Sequence, residues 1–340
     1  MTDPSGEPAA GEDAPPNRGA ARRQPESSSA FHEHVRAARS EFEQQIDRAR
    51  ADFEQVQDRI NERTGRNLLM ATLIGLAVGA VVLASLLFVK WLFLVFAIPV
   101  CLLGVFEFAR ALQTAGRRID VVPQLVAGAI IMLSGYFFGH WTHWVITFAC
   151  VAAVIVWRML AQMAASDGRR YGDVLTDVLV TGFVPLYVPF LASLALVLLR
   201  QDQGELWVLG MLVVVVAADT GAYASGLAFG SHPMAPRISP KKTWEGFAGG
   251  AVATTIAAVL YALFALHTPW WVGVIFGVVI LGCATVGDLG ESMIKRDLGI
   301  KDMSSWLPGH GGVLDRLDSI LPSAGAALAM YFLFYPLVGA

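Results

Sequence analysis

The fold is decided by long apolar segments, and the clearest of them is residues 68–112, which read LLMATLIGLAVGAVVLASLLFVKWLFLVFAIPVCLLGVFEFARAL. Its charged residues are Lys90, Glu107 and Arg110. An apolar helix needs about 20 residues to cross a bilayer, so this segment is long enough for two crossings that meet near Lys90. We therefore predict membrane-spanning helices at residues 68–89 and 91–112.

The same pattern recurs along the rest of the chain. Further apolar stretches of similar length follow at residues 122–140, 142–161, 174–199, 206–227, 247–266, 270–289 and 317–338. With the first two spans, they predict an all-α integral membrane protein with about nine transmembrane helices.

Charges in the loops predict how these helices are oriented. Cytoplasmic loops of membrane proteins carry an excess of Lys and Arg. With nine spans and a cytoplasmic N-terminus, the basic loops near residues 110–118, 158–170, 237–242 and 295–301 all lie on the same side. The alternate loops hold few cations, and Trp91, Trp141 and Trp270 stand at span ends, as interfacial aromatics do. We expect a multi-pass protein of the cell (inner or plasma) membrane.

Composition excludes a soluble protein. The chain is 55% hydrophobic and only 16% charged, against about 25% charged in a typical soluble chain. Residues 1–66 hold 23 of the charged side chains, which leaves 30 for the remaining 274 residues. The net charge of −3 gives no indication of a nucleic acid partner.

The polar N-terminal arm has two parts. Residues 1–30 are rich in Pro, Gly, Ala and Ser without apolar periodicity, which predicts a disordered tail. From Phe31 onward, apolar residues recur at steps of three and four, which predicts a cytoplasmic amphipathic helix over residues 31–66. This helix forms a short coiled coil or lies on the bilayer surface, and the pattern favours neither. Residues 67–340 are then the polytopic membrane domain.

Some polar residues of the body have a structural explanation. Glu107 and Arg110 are three residues apart, so we expect a local ion pair on one helix. His140, His143 and His267 stand at the interface opposite the basic loops, where we expect solvated side chains.

Two segments of the body contain polar residues that need more explanation. Asp219 follows an apolar run and is flanked by small residues, although an unpaired carboxylate at membrane depth is costly. A metal, a cation partner or a polar cavity would each account for it. The segment from Ser239 to Gly246, SPKKTWEG, presents Lys241 and Lys242 at the membrane surface. Alone, this segment is typical of a basic loop that sets topology.

The densest group of polar residues starts at Asp288, close to the end of the eighth predicted span. Helical spacing puts Asp288, Ser292 and Lys295 on one face of a helix. Asp315 and Asp318 share a face at the start of the last span. A plain ion pair at an interface, such as Glu291 with Lys295, would explain a single pair of charges. So many polar groups between two spans favour a site instead.

Glycines lie between these two groups of carboxylates. Gly309, Gly311 and Gly312 flank His310 and permit backbone conformations that other residues resist. Successive amides there could hold a phosphate next to a helix N-terminus. Carboxylates, cations and a glycine-rich loop together suit chemistry on Mg²⁺ and a polyphosphate.

The region from Gly287 to Asp318 closely resembles the C-terminal signature of the phosphatidate cytidylyltransferase (CDP-diacylglycerol synthase) family. The matching residues are Ser292, Lys295, Arg296, Lys301, Asp302, Pro308, Gly309, His310, Gly311, Gly312, Asp315, Arg316 and Asp318. The segments around Asp219 and Lys242 also resemble that family. The resemblance covers roughly residues 70–340. Ser231–Met234 departs from it, because family members often carry more basic residues there.

The resemblance implies that phosphatidic acid and CTP react at this bilayer to give CDP-diacylglycerol and pyrophosphate, with the active site on the cytoplasmic side. It implies three catalytic residues, Asp288, Lys295 and Asp315, and divalent-metal ligands at Asp288, Asp315, Asp318 and Asp219. It implies substrate contacts at Ser292, Arg296, Lys301, His310, Gly311, Gly312, Arg316, Lys242 and Ser239. Mg²⁺ is the expected cofactor, a second, monovalent cation is compatible with the site, and a homodimer is compatible with the sequence.

Two other functions remain open at this point. The first is a related membrane lipid enzyme that uses CTP, such as a polyprenol kinase or another lipid cytidylyltransferase. The unbroken run from His310 to Arg316 favours the phosphatidate enzyme. The second is a transporter, which weak internal repeats would support. The sequence shows no such repeats.

Overall fold

A computed structural model of the chain describes residues 68–165, 168–304 and 311–338. Eleven α-helices occur in these ranges: α1 Leu68–Phe88, α2 Lys90–Thr114, α3 Val121–Phe137, α4 His140–Ala164, α5 Tyr171–Pro185, α6 Leu191–Leu199, α7 Gly204–Phe229, α8 Trp244–Phe264, α9 Trp270–Asp297, α10 Leu314–Leu317 and α11 Ile320–Phe334. A π-helical turn, Leu186–Phe190, joins α5 to α6, and a 3₁₀ turn, Tyr335–Leu337, follows α11. The predictions for residues 1–30 and 31–66 lie outside the described ranges.

The predicted all-α membrane architecture is confirmed. Among the described residues, seven helical segments are long and apolar enough to cross a membrane: Lys90–Thr114, His140–Ala164, Tyr171–Leu199, Gly204–Phe229, Trp244–Phe264, Trp270–Asp297 and Leu314–Leu337. The other two predicted spans coincide with α1 and with the 17-residue α3. The exact number of crossings stays a prediction.

The fifth predicted span contains an irregular turn. Residues Tyr171–Leu199 form one continuous apolar segment, but Leu186–Phe190 winds as a π-helix. Pro185 and Pro189 lie at this turn and lack the backbone N–H that regular helical bonding requires. Hydropathy detects the apolar segment and does not reveal this change of winding.

A small hairpin stands between α7 and α8. Strand β1, Pro233–Ala235, pairs antiparallel with β2, Ser239–Thr243. Thr243 then caps α8, because its Oγ1 accepts a hydrogen bond of 3.1 Å from the amide of Gly246. The sequence predicted a basic loop here and no strands. This hairpin gives the segment around Lys242 a defined position.

One prediction about the opposite end of the bundle is wrong. His143 is 1% exposed, although we expected it to be solvated. Its ring nitrogens lie 2.8 Å from Ser134 Oγ and 3.1 Å from Ser193 Oγ. A polar ring is tolerated inside the bundle only when such partners satisfy it.

Helices α7 and α8 approach each other through small residues. A methyl group built on Gly221 would lie 2.5 Å from the Ala253 Cβ and 2.9 Å from the Gly249 carbonyl oxygen. Neither neighbour can move without shifting its own helix. Small residues are what permit such close backbone contact between membrane helices.

Substitution of Gly221 with Ala is therefore expected to destabilise the protein by about 1–3 kcal/mol, the usual cost of overpacking. Thermal unfolding of purified protein in detergent measures this effect. Gly282→Ala on α9 is the matched control, because a methyl group there meets nothing within 4 Å. Equal unfolding temperatures for Gly221→Ala and the control would contradict this account of the helix contact.

Candidate functional site

The polar residues of the body collect at one end of the bundle. Helix α9 continues to Asp297, well past the predicted end of the span at residue 289. This extension carries Glu291, Ser292 and Lys295 on the last turns of the helix. The segment 301–304 and the turn before α10 lie beside it, as the contacts described below show. The polar face of α9 therefore lies next to these two loops.

Lys295 connects α9 to the start of the last span. Its Nζ lies 3.1 Å from Glu291 Oε2, one helical turn earlier, and 2.9 Å from Asp315 Oδ1. The Lys295 side chain is 14% exposed, and those of Glu291 and Asp315 are 0% and 6% exposed. An ammonium group shielded from water in this way interacts strongly with both carboxylates. The predicted catalytic residues Lys295 and Asp315 are thus in direct contact.

Asp315 organises the loops around it. Its Oδ2 accepts hydrogen bonds from the amides of Gly312, at 2.7 Å, and Met303, at 3.2 Å. Gly311 adopts a φ of +81°, which only glycine takes up readily, and this lets the chain turn toward α10. Both oxygens of Asp315 are therefore engaged by donors of the protein.

Glu107 on α2 is a residue whose role the sequence did not reveal. It is buried, and its carboxylate accepts hydrogen bonds from Ser304 Oγ and, at 2.9 Å, from the Leu314 amide. The predicted local pair with Arg110 is wrong, because Arg110 instead bonds Gln113 Oε1 at 3.2 Å. The cost of burying a carboxylate at this depth was the available signal. Its partners lie about 200 positions away in sequence and could not be inferred.

Replacing Glu107 with Ala is expected to release the segment 301–304 and to lower stability by about 2–3 kcal/mol, because the hydrogen bonds that Ser304 Oγ and the Leu314 amide donate to a charged group are lost. Limited trypsin digestion checks this, since the exposed Lys301 lies in that segment. We expect faster cleavage after Lys301. The control is Glu205→Ala, which removes a carboxylate paired with Lys90 instead. Unchanged cleavage in the Glu107 variant would contradict the anchoring role.

The hairpin reaches α9 through two contacts. Lys242 on β2 forms an ion pair with Asp288 Oδ2. Arg296 Nε donates to the carbonyl oxygen of Ile238 at 3.3 Å. Ser292 Oγ, at 3.5 Å from Asp288 Oδ1, lies on the same face of α9. The structure therefore joins the two segments that the sequence analysis treated separately.

Four carboxylates come together where α9 lies near Asp318, the residue that follows α10. They belong to Glu291, Asp318, Asp219 and Asp288. The carboxyl groups of Glu291 and Asp318 face each other. A methyl group on Gly287 would clash with the Asp318 backbone oxygen, so only glycine permits this approach. Asp219 on α7 lies within electrostatic range of Asp288 and Asp318. Asp219, Asp288 and Asp318, which were predicted from separate segments, are therefore neighbours.

Glu291 is the second residue that the sequence analysis missed, because its pairing with Lys295 explained it as an ion pair. It is completely buried, and Glu291 Oε1 has no hydrogen-bond partner among the residues that the structure describes. An orphaned carboxylate oxygen at such a place requires a proton or a cation. Glu291 therefore joins the candidate site residues.

The remaining predicted residues are less closely involved. Ser239 is half-buried on β2, and Lys301 is exposed after α9. Arg316 lies within electrostatic range of Asp219. His310 lies outside the described residues.

The oxygen donors of this cluster suit a hard divalent cation such as Mg²⁺. Within residues 68–165, 168–304 and 311–338, no three ligand-type side chains converge on one point at metal-binding distance. Ammonium groups of Lys242 and Lys295 lie against Asp288 and Asp315 instead. The carboxylate oxygens therefore fit Mg²⁺ chemically. In this arrangement Lys242 and Lys295 neutralise Asp288 and Asp315.

The fold and the site define a class of protein: a multi-pass membrane enzyme whose acidic and basic side chains meet at one end of a helical bundle. A family model described as "Cytidylyltransferase family" matches residues 70–334. This chain belongs to the cytidylyltransferase family.

Curated relatives are similar over most of the chain. Phosphatidate cytidylyltransferase of Mycobacterium bovis is 40% identical over 271 residues, which cover 78% of this chain and 89% of the relative. That of Mycobacterium leprae is 38% identical over 284 residues, which cover 79% and 88%. That of Haemophilus influenzae is 41% identical over 160 residues, which cover 44% and 55%.

Proposed function

We propose that this chain transfers CMP from CTP to phosphatidic acid, which gives CDP-diacylglycerol and pyrophosphate for phospholipid biosynthesis. The observation that carries this proposal is that α9 brings two ion pairs, Lys242–Asp288 and Lys295–Asp315, to the same end of a membrane bundle. The names of relatives that match about four-fifths of the chain support the choice of substrates.

The reaction forms one bond and breaks one. An oxygen of the lipid phosphate attacks the α-phosphorus of CTP, and the bond from that phosphorus to the bridging oxygen of the β-phosphate breaks. Pyrophosphate leaves with the bonding electrons. The protein has little covalent chemistry to do, so positioning and charge stabilisation account for its contribution.

Individual residues have distinct roles in this proposal. Lys242 exchanges Asp288 for a substrate phosphate, which frees the carboxylate. Asp219, Asp288, Asp318 and Glu291 would hold Mg²⁺, which when bound neutralises charge on the polyphosphate. Arg296, Lys301 and Arg316 stand at the exposed rim, where they can meet phosphates.

Asp315 has a different role from the other carboxylates. Because donors of the protein already engage both of its oxygens, we assign it to positioning Lys295 and the Gly312 amide. Ser239, Ser292, His310 and Gly311 stay predicted substrate contacts. A second, monovalent cation and a homodimer also stay predictions.

The proposed location is the cytoplasmic face of the cell membrane. The basic loops predict that the end of the bundle with the site faces the cytoplasm, where CTP is found. The lipid substrate reaches the same site from the bilayer. A soluble and a membrane-bound substrate thus meet at one interface.

The test uses the full chain purified in detergent with phosphatidic acid, Mg²⁺ and two preparations of CTP, one labelled in the cytosine ring and one in the γ-phosphate. We expect ring label in the lipid fraction and γ-label in pyrophosphate. Transfer of γ-label to a polyprenol would indicate a kinase. Absence of any lipid-linked CMP from protein shown to be folded would disprove the proposal.

A further inference from the structure

A second group of basic residues lies at the same end of the bundle and takes no part in the proposed catalytic site. The loop between α2 and α3 and the last turns of α4 line an open cavity of about 330 Å³. Its polar lining consists of Gln113, Arg117, Arg118, Asp120 and Arg158. Among the described residues that line the cavity, three are arginines and one is an aspartate, so their summed charge is positive.

The loop that presents two of these arginines has a defined conformation. Gln113 Nε2 donates to the Ile119 carbonyl oxygen at 2.7 Å. Arg169 Nη2 donates to the Gly116 carbonyl oxygen at 2.8 Å, and the Arg118 amide donates to Asp177 Oδ1 at 3.0 Å. Asp177 is fully buried and also pairs with Arg169 at 2.5 Å. The positions of the loop arginines are thus set by buried polar contacts.

The third arginine is part of the interior. The Arg158 side chain is 6% exposed and bonds Gln162 Oε1 at 2.6 Å and Asp120 Oδ2 at 3.4 Å. Arg117 has no ion-pair or hydrogen-bond partner for its side chain in the part of the chain that the structure describes. Planar guanidinium groups match the oxygens of a phosphate, which they bind with paired hydrogen bonds.

The surroundings of the cavity favour a lipid as the source of that phosphate. Val122 on α3 and Leu160 and Met163 on α4 are close in sequence to its lining residues, and their side chains are 71%, 58% and 82% exposed. In a membrane helix such apolar side chains face acyl chains. Basic pockets between membrane helices bind the headgroups of anionic lipids. A headgroup in the cavity would place its acyl chains along α3 and α4.

We propose that this arginine cavity binds the headgroup phosphate of an anionic phospholipid from the leaflet that faces the catalytic site. The two sites share α2, because Glu107 anchors the segment 301–304 and Gln113 lines the cavity six residues later. That separation is about 9 Å along a helix. The bound lipid thus lies beside the catalytic site without occupying it.

The test measures lipid retention by native mass spectrometry of the delipidated full chain, after titration with phosphatidylglycerol. This probe is anionic and is not the proposed substrate. We expect the wild-type chain to retain it and the Arg117→Gln/Arg118→Gln variant to bind it roughly 25-fold more weakly, at roughly fivefold for each arginine. The control Arg170→Gln/Arg237→Gln removes two exposed arginines that do not line the cavity and should bind as the wild type does.

Three other outcomes would contradict the proposal that the cavity binds an anionic lipid headgroup. Equal losses in the variant and the control would mean that these arginines act only as general surface charge, and the proposal would be wrong. Equal retention of phosphatidylcholine would also overturn it. Displacement of the lipid by an equal concentration of inorganic phosphate would identify a free anion as the ligand. Thermal unfolding verifies that each variant is folded, and the readout does not depend on CTP turnover, so it is independent of the proposed function.

Discussion

Replacement of Asp288 with Asn is expected to lower kcat by roughly 100- to 1,000-fold, the usual effect of removing one group that stabilises transition-state charge. Asp288 stands where β2 and α9 meet, since Lys242 pairs with its Oδ2 and Ser292 lies near its Oδ1. Asparagine keeps the shape of the side chain and removes the negative charge. It can neither pair with Lys242 as strongly nor hold a divalent cation well.

The measurement is incorporation of CMP into lipid by variant protein that shows normal membrane insertion and thermal unfolding. Asp297→Asn is the matched control, because this exposed carboxylate ends the same helix away from the cluster. We expect the control to keep wild-type turnover. Near-normal activity of the Asp288 variant would remove Asp288 from the catalytic residues.

Replacement of Lys295 with Met is expected to be the most damaging single change to both stability and turnover. The methionine leaves the shielded carboxylates of Glu291 and Asp315 without their shared cation. Breaking a buried ion pair from one side costs about 3–5 kcal/mol. Lys241→Met is the matched control, because Lys241 is exposed on the hairpin and should tolerate the change.

A second variant separates folding from chemistry. Adding Glu291→Gln to Lys295→Met removes one of the stranded charges, so the double variant should recover part of the unfolding temperature. CMP transfer should stay low, because the double variant lacks both the Lys295 ammonium group that Asp315 positions and the Glu291 carboxylate that the proposal assigns to Mg²⁺. The Glu291→Gln single variant measures how much of the loss is due to that carboxylate. Full recovery of transfer in the double variant would show that Lys295 acts only on stability.

The sequence predicted most of the fold because helix positions depend on local apolar content. The spans predicted at 91–112 and 206–227 correspond to helices at Lys90–Thr114 and Gly204–Phe229. The π-helical turn at Leu186–Phe190 and the hairpin before α8 were not predicted. Both depend on how neighbouring elements pack, which hydropathy does not record.

The sequence also predicted much of the candidate site, since ionisable residues are rare at membrane depth. It named Asp219, Asp288 and Asp318, which the fold brings within electrostatic range of one another. It treated Glu107 and Glu291 as members of local ion pairs. Glu291 does pair locally with Lys295, but it also faces Asp318 across the bundle.

The sequence by itself determined that the chain is a multi-pass membrane enzyme of the cytidylyltransferase family, because the cost of placing a residue in a bilayer is local and a motif is contiguous. Only the tertiary structure decided that Glu107 holds the Leu314 amide, that Lys242 meets Asp288, and that Arg117 and Arg118 share a cavity with Arg158. These contacts depend on how each helix is rotated and how closely it packs against its neighbours. Apolar periodicity fixes neither, because a membrane helix that is apolar on all sides can present any of its faces to the bundle.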